Sequence, residues 1–251
     1  MKYYFRSDKG KIREINEDAV SVLEDTDHIL ALVADGMGGH QAGDVASQLA
    51  IESVVRMWEN KEPRVSNKES AEVWLQSAVS KANNTVYEQS QQEDKYKGMG
   101  TTIVAAICHQ TFISVAHIGG DSRAYLLDKE DYKQITADHS LVGELVRTGQ
   151  LSEEDAQVHP RKNVILKALG TEKDVEPDVY STTWEEGSKL LLCTDGLTNK
   201  IDDNELYQKL LQKGSQQLID ELIQLANQRG GEDNITLALI EQQEEVGDSE
   251  C

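Results

Sequence analysis

Ala19-Val20-Ser21-Val22-Leu23-Glu24, Asp25-Thr26-Asp27 and His28-Ile29-Leu30-Ala31-Leu32-Val33-Ala34 follow one another near the start of a 251-residue chain. The outer runs are rich in β-branched and aliphatic residues and the middle one is turn chemistry, which predicts a β-hairpin. In that hairpin, residues whose numbers sum to 53 lie opposite each other. The flanking Asp18 and Asp35 then become cross-strand neighbours, roughly 5 Å apart at Cβ. Two carboxylates so placed suit a hard divalent cation, which takes oxygen rather than sulfur or imidazole ligands.

The far end of the chain repeats the arrangement. Lys189 to Thr194 reads as a strand ending at Asp195, a helical stretch follows, and Ile235 to Ile240 reads as a strand beginning just after Asp233. The end of one strand meets the beginning of another only if the two are antiparallel or lie in facing sheets. Either arrangement gathers carboxylates at one edge.

Between these ends, Asp44 to Trp58 and Glu69 to Ser90 carry helical periodicity, with Leu75, Ala78, Ala82 and Val86 on one face. Pro63, Ser66 and Asn67 mark a loop between them. Thr101 to Cys108, Thr111 to Ile118, Ser122 to Leu127 and Tyr132 to Ile135 read as short strands with tight turns, and Ser215 caps a last helix carrying Leu218, Leu222 and Leu225. Strand runs grouped apart from helix runs predict two packed antiparallel sheets covered by helices, an α+β fold. Glu241 to Cys251 is acidic and aperiodic, so residues 242–251 are expected to form a flexible tail after a single domain spanning 1–241.

Composition narrows the function. A net charge of −20 argues against nucleic acid or an anionic membrane as partner and is compatible with a site that loads cations. No leader-like run and no stretch of about 18 apolar residues is present, so the cytosol is the expected compartment. Cys108, Cys193 and Cys251 are too few and scattered for a disulfide framework. A cysteine phosphatase would need an arginine six positions after its thiolate, where this chain has Ser114 and Asn199. His28, His109 and His117 lie in or beside strands with no carboxylates at ligand spacing, and read as strand residues.

Eight ordered motifs carry a family resemblance that covers nearly the whole chain. They are Arg13 with Asn16-Glu17-Asp18, Asp35-Gly36-Met37-Gly38-Gly39-His40, Gly100-Thr101-Thr102, Gly119-Gly120-Asp121-Ser122-Arg123, Asp138-His139-Ser140, His159-Pro160-Arg161, Thr194-Asp195-Gly196-Leu197 and Asp233-Asn234-Ile235-Thr236. The sequence resembles the metal-dependent protein Ser/Thr phosphatases of the PPM or PP2C type, in particular the compact bacterial members. The resemblance implies a four-layer α-β-β-α sandwich with Mn²⁺ or Mg²⁺ at one end. Two core ions would bridge a water that attacks phosphorus directly, so no protein nucleophile is needed.

By the same resemblance, Asp35 would bridge the ions, with the Gly36 carbonyl on one and Asp195 and Asp233 on the other. Asp18 would act mostly through bound waters, and Asp121 would share a third, weaker ion with Asp195. Arg13 would clamp the phosphate, since a guanidinium pairs two of its oxygens in a fork. His40 is the candidate proton donor to the leaving oxygen, although it follows a Gly-Gly turn whereas the family places its histidine directly after Asp-Gly. Residues 137–170 resemble the family's flap, which makes Ser140, His159 and Arg161 candidate substrate contacts. Asn16 and Glu17 are expected to support the loop.

The partners implied are phosphorylated proteins and a cognate Ser/Thr kinase with its substrates, and a monomer is expected. Two other functions use the same scaffold: a catalytically silent phosphoprotein-binding module, and a phosphatase of small phosphate esters. Retention of a mutually repulsive carboxylate cluster favours catalysis over simple binding.

Overall fold

Three strands open the chain in the computed structural model, which describes residues 1–38, 42–60, 65–128 and 131–243: β1 (Lys2–Asp8), β2 (Asp18–Glu24) and β3 (His28–Met37). β2 and β3 pair in the expected register, Asp18 opposite Asp35. The turn between them closes when the Asp25 N–H donates to the His28 carbonyl at 2.8 Å. Two long helices follow, α1 (Ala42–Glu59) and α2 (Lys68–Ser90). Asn67, read as loop, is the N-cap of α2. Its side chain accepts from the Ser70 N–H at 2.9 Å while the Ser70 hydroxyl accepts from the Asn67 N–H at 3.0 Å, a reciprocal capping box. Pro63 lies outside the described residues.

The middle of the chain forms β4 (Gly100–Thr101), β5 (Ile103–His109), β6 (Phe112–Ile118), β7 (Arg123–Leu127) and β8 (Tyr132–Gln134). The run expected as one strand from Thr101 is broken at Thr102. Next come α3 (Leu141–Arg147), α4 (Glu153–Val158), β9 (Asp178–Thr183) and β10 (Lys189–Cys193). The chain ends with α5 (Asp195–Thr198), α6 (Asp203–Leu210), α7 (Gln216–Gln228) and β11 (Ile235–Glu241). Ser215 caps α7 as expected, accepting from the Leu218 N–H at 3.1 Å.

The strands make two antiparallel sheets. One runs β1-β11-β10-β7-β8 and the other β2-β3-β5-β6-β9, with β4 pairing to the end of β3. Alternation along each central strand explains why they read as unbroken apolar runs. On β3, Leu30, Leu32 and Ala34 pack with α1 and α2, while Ile29, Ala31 and Val33 face the other sheet. On β11, Leu237 and Leu239 pack with α6 and α7, while Ala238 and Ile240 face inward between the sheets. Three apolar cores therefore separate four layers, the α-β-β-α sandwich.

Gln242 corrects the expected tail boundary. It is buried, with its N–H on the Ser188 carbonyl at 2.9 Å and its side-chain amide on the Gln110 carbonyl at 2.7 Å. The remaining tail, 244–251, lies outside the described residues. Among the described residues no helix is long and apolar enough to cross a membrane.

Candidate metal centre

Both sheets deliver aspartates to the same end of the sandwich. Asp18 and Asp35 stand opposite each other where β2 begins and β3 nears its end. β10 and β11 are antiparallel, with Cys193 paired to Leu237, so Asp195 just after β10 and Asp233 just before β11 share an edge. Asp121 sits in the short link from β6 to β7, where the chain crosses from one sheet to the other. The charge of each of Asp18, Asp195, Asp233 and Asp121 acts on Asp35.

Hydroxyl groups fix the backbone that carries these carboxylates. The Asp35 N–H donates to Thr102 Oγ1 at 2.9 Å, and the Asp35 carbonyl accepts from the Thr102 N–H and the Thr101 hydroxyl, each at 2.9 Å. Thr102 Oγ1 also meets Ser122 Oγ at 2.8 Å, tying the bed of Asp35 to the residue after Asp121. These contacts account for the strand break at Thr102. On the other sheet, the Thr194 hydroxyl donates to Asp18 Oδ2 at 2.9 Å and accepts from the Thr236 N–H at 3.0 Å. The Asn199 amide donates to Asp195 Oδ2 at 2.9 Å.

Burial and mutual repulsion act together on this cluster. Burial first, then the neighbouring carboxylates, push Asp35 and Asp195 well above the ordinary range. Burial pushes Asp18 up to about 7 against the pull of hydrogen bonds from Thr236 and Thr194. Asp121 is raised by burial and by Asp138. Bare carboxylates held this way favour protons or a cation in their midst. Among the described residues no three His, Cys, Asp or Glu side chains already stand close enough together to hold a metal ion. Such an open, all-oxygen set suits divalent ions that retain waters, so the residues fit a hard cation and offer nothing to a soft one.

Arg13 lies at the rim, its guanidinium on Asp233 Oδ2 at 2.9 Å and 3.8 Å from Glu17. A residue not singled out from the sequence holds the loop that carries it. Asn234, buried just after Asp233, accepts from the Glu17 N–H at 2.8 Å and donates to the carbonyls of Lys9 at 2.8 Å and Ile15 at 3.0 Å. The Asp233-Asn234 pair in the sequence is the signal that could have found it. Asn16 supports the loop as expected, its amide donating to Ser7 Oγ at 2.7 Å. Glycine at 36 has a packing reason: a Cβ there would lie 2.0 Å from the Gly43 carbonyl oxygen and 2.5 Å from that of Glu17.

His40 and Gly39 lie outside the described residues. Ser140, expected at the substrate, is instead buried as the N-cap of α3, its oxygen accepting from the Gly143 N–H at 3.1 Å. His159 Nδ1 accepts from the Arg161 N–H at 3.1 Å, which shapes their turn and leaves the Arg161 side chain exposed. The charge of Lys162, next in sequence, acts on Asp121. Cys108 and Cys193 are buried and free, and burial raises both thiols, Cys193 to about 12, so neither is a nucleophile.

Two sheets between helical layers, with aspartates from both sheets gathered at one end, define a scaffold suited to chemistry with hard cations. The chain belongs to the protein phosphatase 2C family, whose model matches residues 11–237. It is 45% identical over 239 residues to a serine/threonine phosphatase Stp of Listeria monocytogenes serotype 4b, covering 94% of each chain. It superposes on the crystal structure of the serine/threonine phosphatase Stp1 from Staphylococcus aureus with a TM-score of 0.87 at 37% identity, covering 95% of this chain and 93% of that one. A third similar protein, the catalytic domain of the serine/threonine protein phosphatase PstP, was solved in complex with two manganese ions. That match has a TM-score of 0.82 at 35% identity and covers 95% and 96% of the two chains.

Proposed function

We propose that this chain is a metal-dependent protein phosphatase that hydrolyses phosphoserine and phosphothreonine esters in phosphorylated proteins. The observation that carries the reading is the gathering of Asp18, Asp35, Asp121, Asp195 and Asp233 at one end of the sandwich, where burial and repulsion raise Asp35 and Asp195 together and hydroxyl and amide donors serve Asp18 and Asp195. Family membership and the manganese-holding relative support metal dependence.

Asp35, the Gly36 carbonyl, Asp195 and Asp233 would hold two Mn²⁺ or Mg²⁺ ions, with Asp18 acting through waters and Asp121 joining Asp195 on a weaker third. Bound there, such ions neutralise phosphoryl charge and activate water for attack on phosphorus. Arg13 binds the phosphate: its fork leaves Asp233 for two phosphate oxygens, keeping its charge throughout. His40 is the proposed donor of the proton that the seryl or threonyl oxygen needs on leaving. Arg161 and His159, on the turn before Lys162, would meet the protein around the phosphorylated residue. Such an enzyme opposes a Ser/Thr kinase, and it would act as a monomer in the cytoplasm.

Phosphate release from a phosphothreonine peptide by metal-stripped protein titrated with Mn²⁺ tests the reading, with Asp35→Asn as control. Metal-dependent release that the variant loses is expected. Binding of the peptide without turnover at saturating Mn²⁺ would replace the enzyme with a phosphoprotein-binding module.

A further inference from the structure

Gly119 and Gly120, with φ of +90° and +56°, turn the chain immediately before Asp121. Both backbone groups of Gly119 are held by imidazoles. Its N–H donates to His139 Nδ1 at 3.0 Å and its carbonyl meets His117 Nε2 at 3.1 Å, while the two rings stack with centroids 4.6 Å apart. Because an amide only donates and a carbonyl only accepts, both neutral rings carry their proton on Nε2. The His139 Nε2–H then points at Asp178 Oδ2, 3.0 Å away, and the β6–β9 pairing places Asp178 opposite His117. Burial and the neighbouring His139 push His117 down to about 4, so that ring stays neutral.

His139 also holds the turn through its backbone. Its N–H donates to the Gly120 carbonyl at 2.7 Å, and its carbonyl accepts from the Leu166 N–H at 2.8 Å. A single residue thus joins the turn before Asp121 to the 164–166 segment, and Asp178 sets which nitrogen of its ring can accept. We propose that His139, oriented by Asp178, is a positioning residue that sets Asp121 in the centre. The proposal rests on Asp121 being a ligand of the weaker third cation. The arrangement parallels metal-bound histidines, in which a carboxylate on one ring nitrogen fixes the tautomer and leaves the other nitrogen to act, here on a backbone N–H.

The test compares His139→Ala with His139→Asn, whose Oδ1 stands near the place of Nδ1 and can accept the Gly119 N–H. In metal-free protein, amide exchange at Gly119 should accelerate about tenfold in the alanine variant, the effect of one lost hydrogen bond, and recover in the asparagine variant. The Mn²⁺ concentration for half-maximal turnover should rise by a similar factor in the alanine variant and recover likewise, with KM for phosphopeptide at saturating Mn²⁺ unchanged. Should His139→Ala fail to fold, Asp178→Ala, which frees Nε2 and keeps the ring, gives the same two readings. Wild-type exchange at Gly119 in the alanine variant, or no recovery with asparagine, overturns the clamp. If Asp121→Asn keeps the wild-type Mn²⁺ dependence, the ligand assignment fails and the positioning role falls with it, whatever Gly119 shows.

Discussion

Asp18 and Asp35 face each other across the β2–β3 ladder, Asp18 buried and Asp35 partly buried, and the proton affinity of both carboxyl groups is raised. Two like charges at that spacing oppose folding, so the pair is stable only with a proton or a cation between strands.

A consequence for stability against pH follows from the sign of the shift. A carboxyl raised in the folded state binds more protons folded than unfolded, so its contribution falls as pH rises from its unfolded value towards its folded one. For Asp18 that window runs from 3.8 to about 7. Asp35 is likewise raised well above 3.8, so in chelator the stability gained by Asp35→Asn over wild type should grow as pH rises from about 4 towards 7, by about 0.5–3 kcal/mol. Mn²⁺ should cancel the gain by stabilising only the wild type, by about 2.7 kcal/mol at a hundredfold excess over Kd. Thermal unfolding of both proteins across that range checks this, and a pH-independent difference would remove the repulsion argument.

Thr194 carries a second expectation. Its hydroxyl donates to Asp18 and accepts from the Thr236 N–H, so Thr194→Val, equal in shape, leaves a buried amide without its acceptor. The variant should lose about 1–3 kcal/mol in denaturant unfolding, and Thr194→Ser should lose much less. Equal losses would show that the methyl group matters as much as the hydroxyl at this position.

What was legible in the sequence follows from which strands lie inside. β3, β5, β6, β10 and β11 are covered on both faces, and their apolar runs declared them. β1 and β9 lie at sheet edges, with one side of each ladder unpaired and mixed exposure, so Lys2–Asp8 and Asp178–Thr183 carry no such signal. At the site, the aspartates stood out because each borders a strand, with Asp35, Asp195 and Asp233 also in an Asp-Gly or Asp-Asn pair. Their supports did not. Thr102, Thr194 and Asn234 act through hydrogen bonds to residues 67, 176 and 217 or more positions away, and no local spacing records such partners.

Asn234 gives a third test, because the Arg13 loop depends on it. Asn234→Asp keeps an acceptor for the Glu17 N–H but replaces the donors to Lys9 and Ile15 with a charge that repels both carbonyls. KM for a phosphopeptide should rise about tenfold while the apparent affinity for Mn²⁺ falls less, since the loop carries Arg13 and the aspartates keep their own supports. An unchanged KM would detach the loop from phosphate binding.

Arg13 itself separates charge from geometry. In the structure it forks towards Asp233 and Glu17 at the rim, half exposed, so a phosphate must draw it away from a carboxylate that would hold metal. Removing it in Arg13→Ala takes away that charge-assisted contact, and KM should rise by about 10- to 100-fold. Arg13→Lys retains the charge but loses the planar fork, so it should recover only part of the loss. Steady-state kinetics at saturating Mn²⁺ reads both. A lysine variant equal to wild type would make Arg13 a point charge, and an alanine variant with wild-type KM would leave it a partner of Asp233 with no part in binding phosphate.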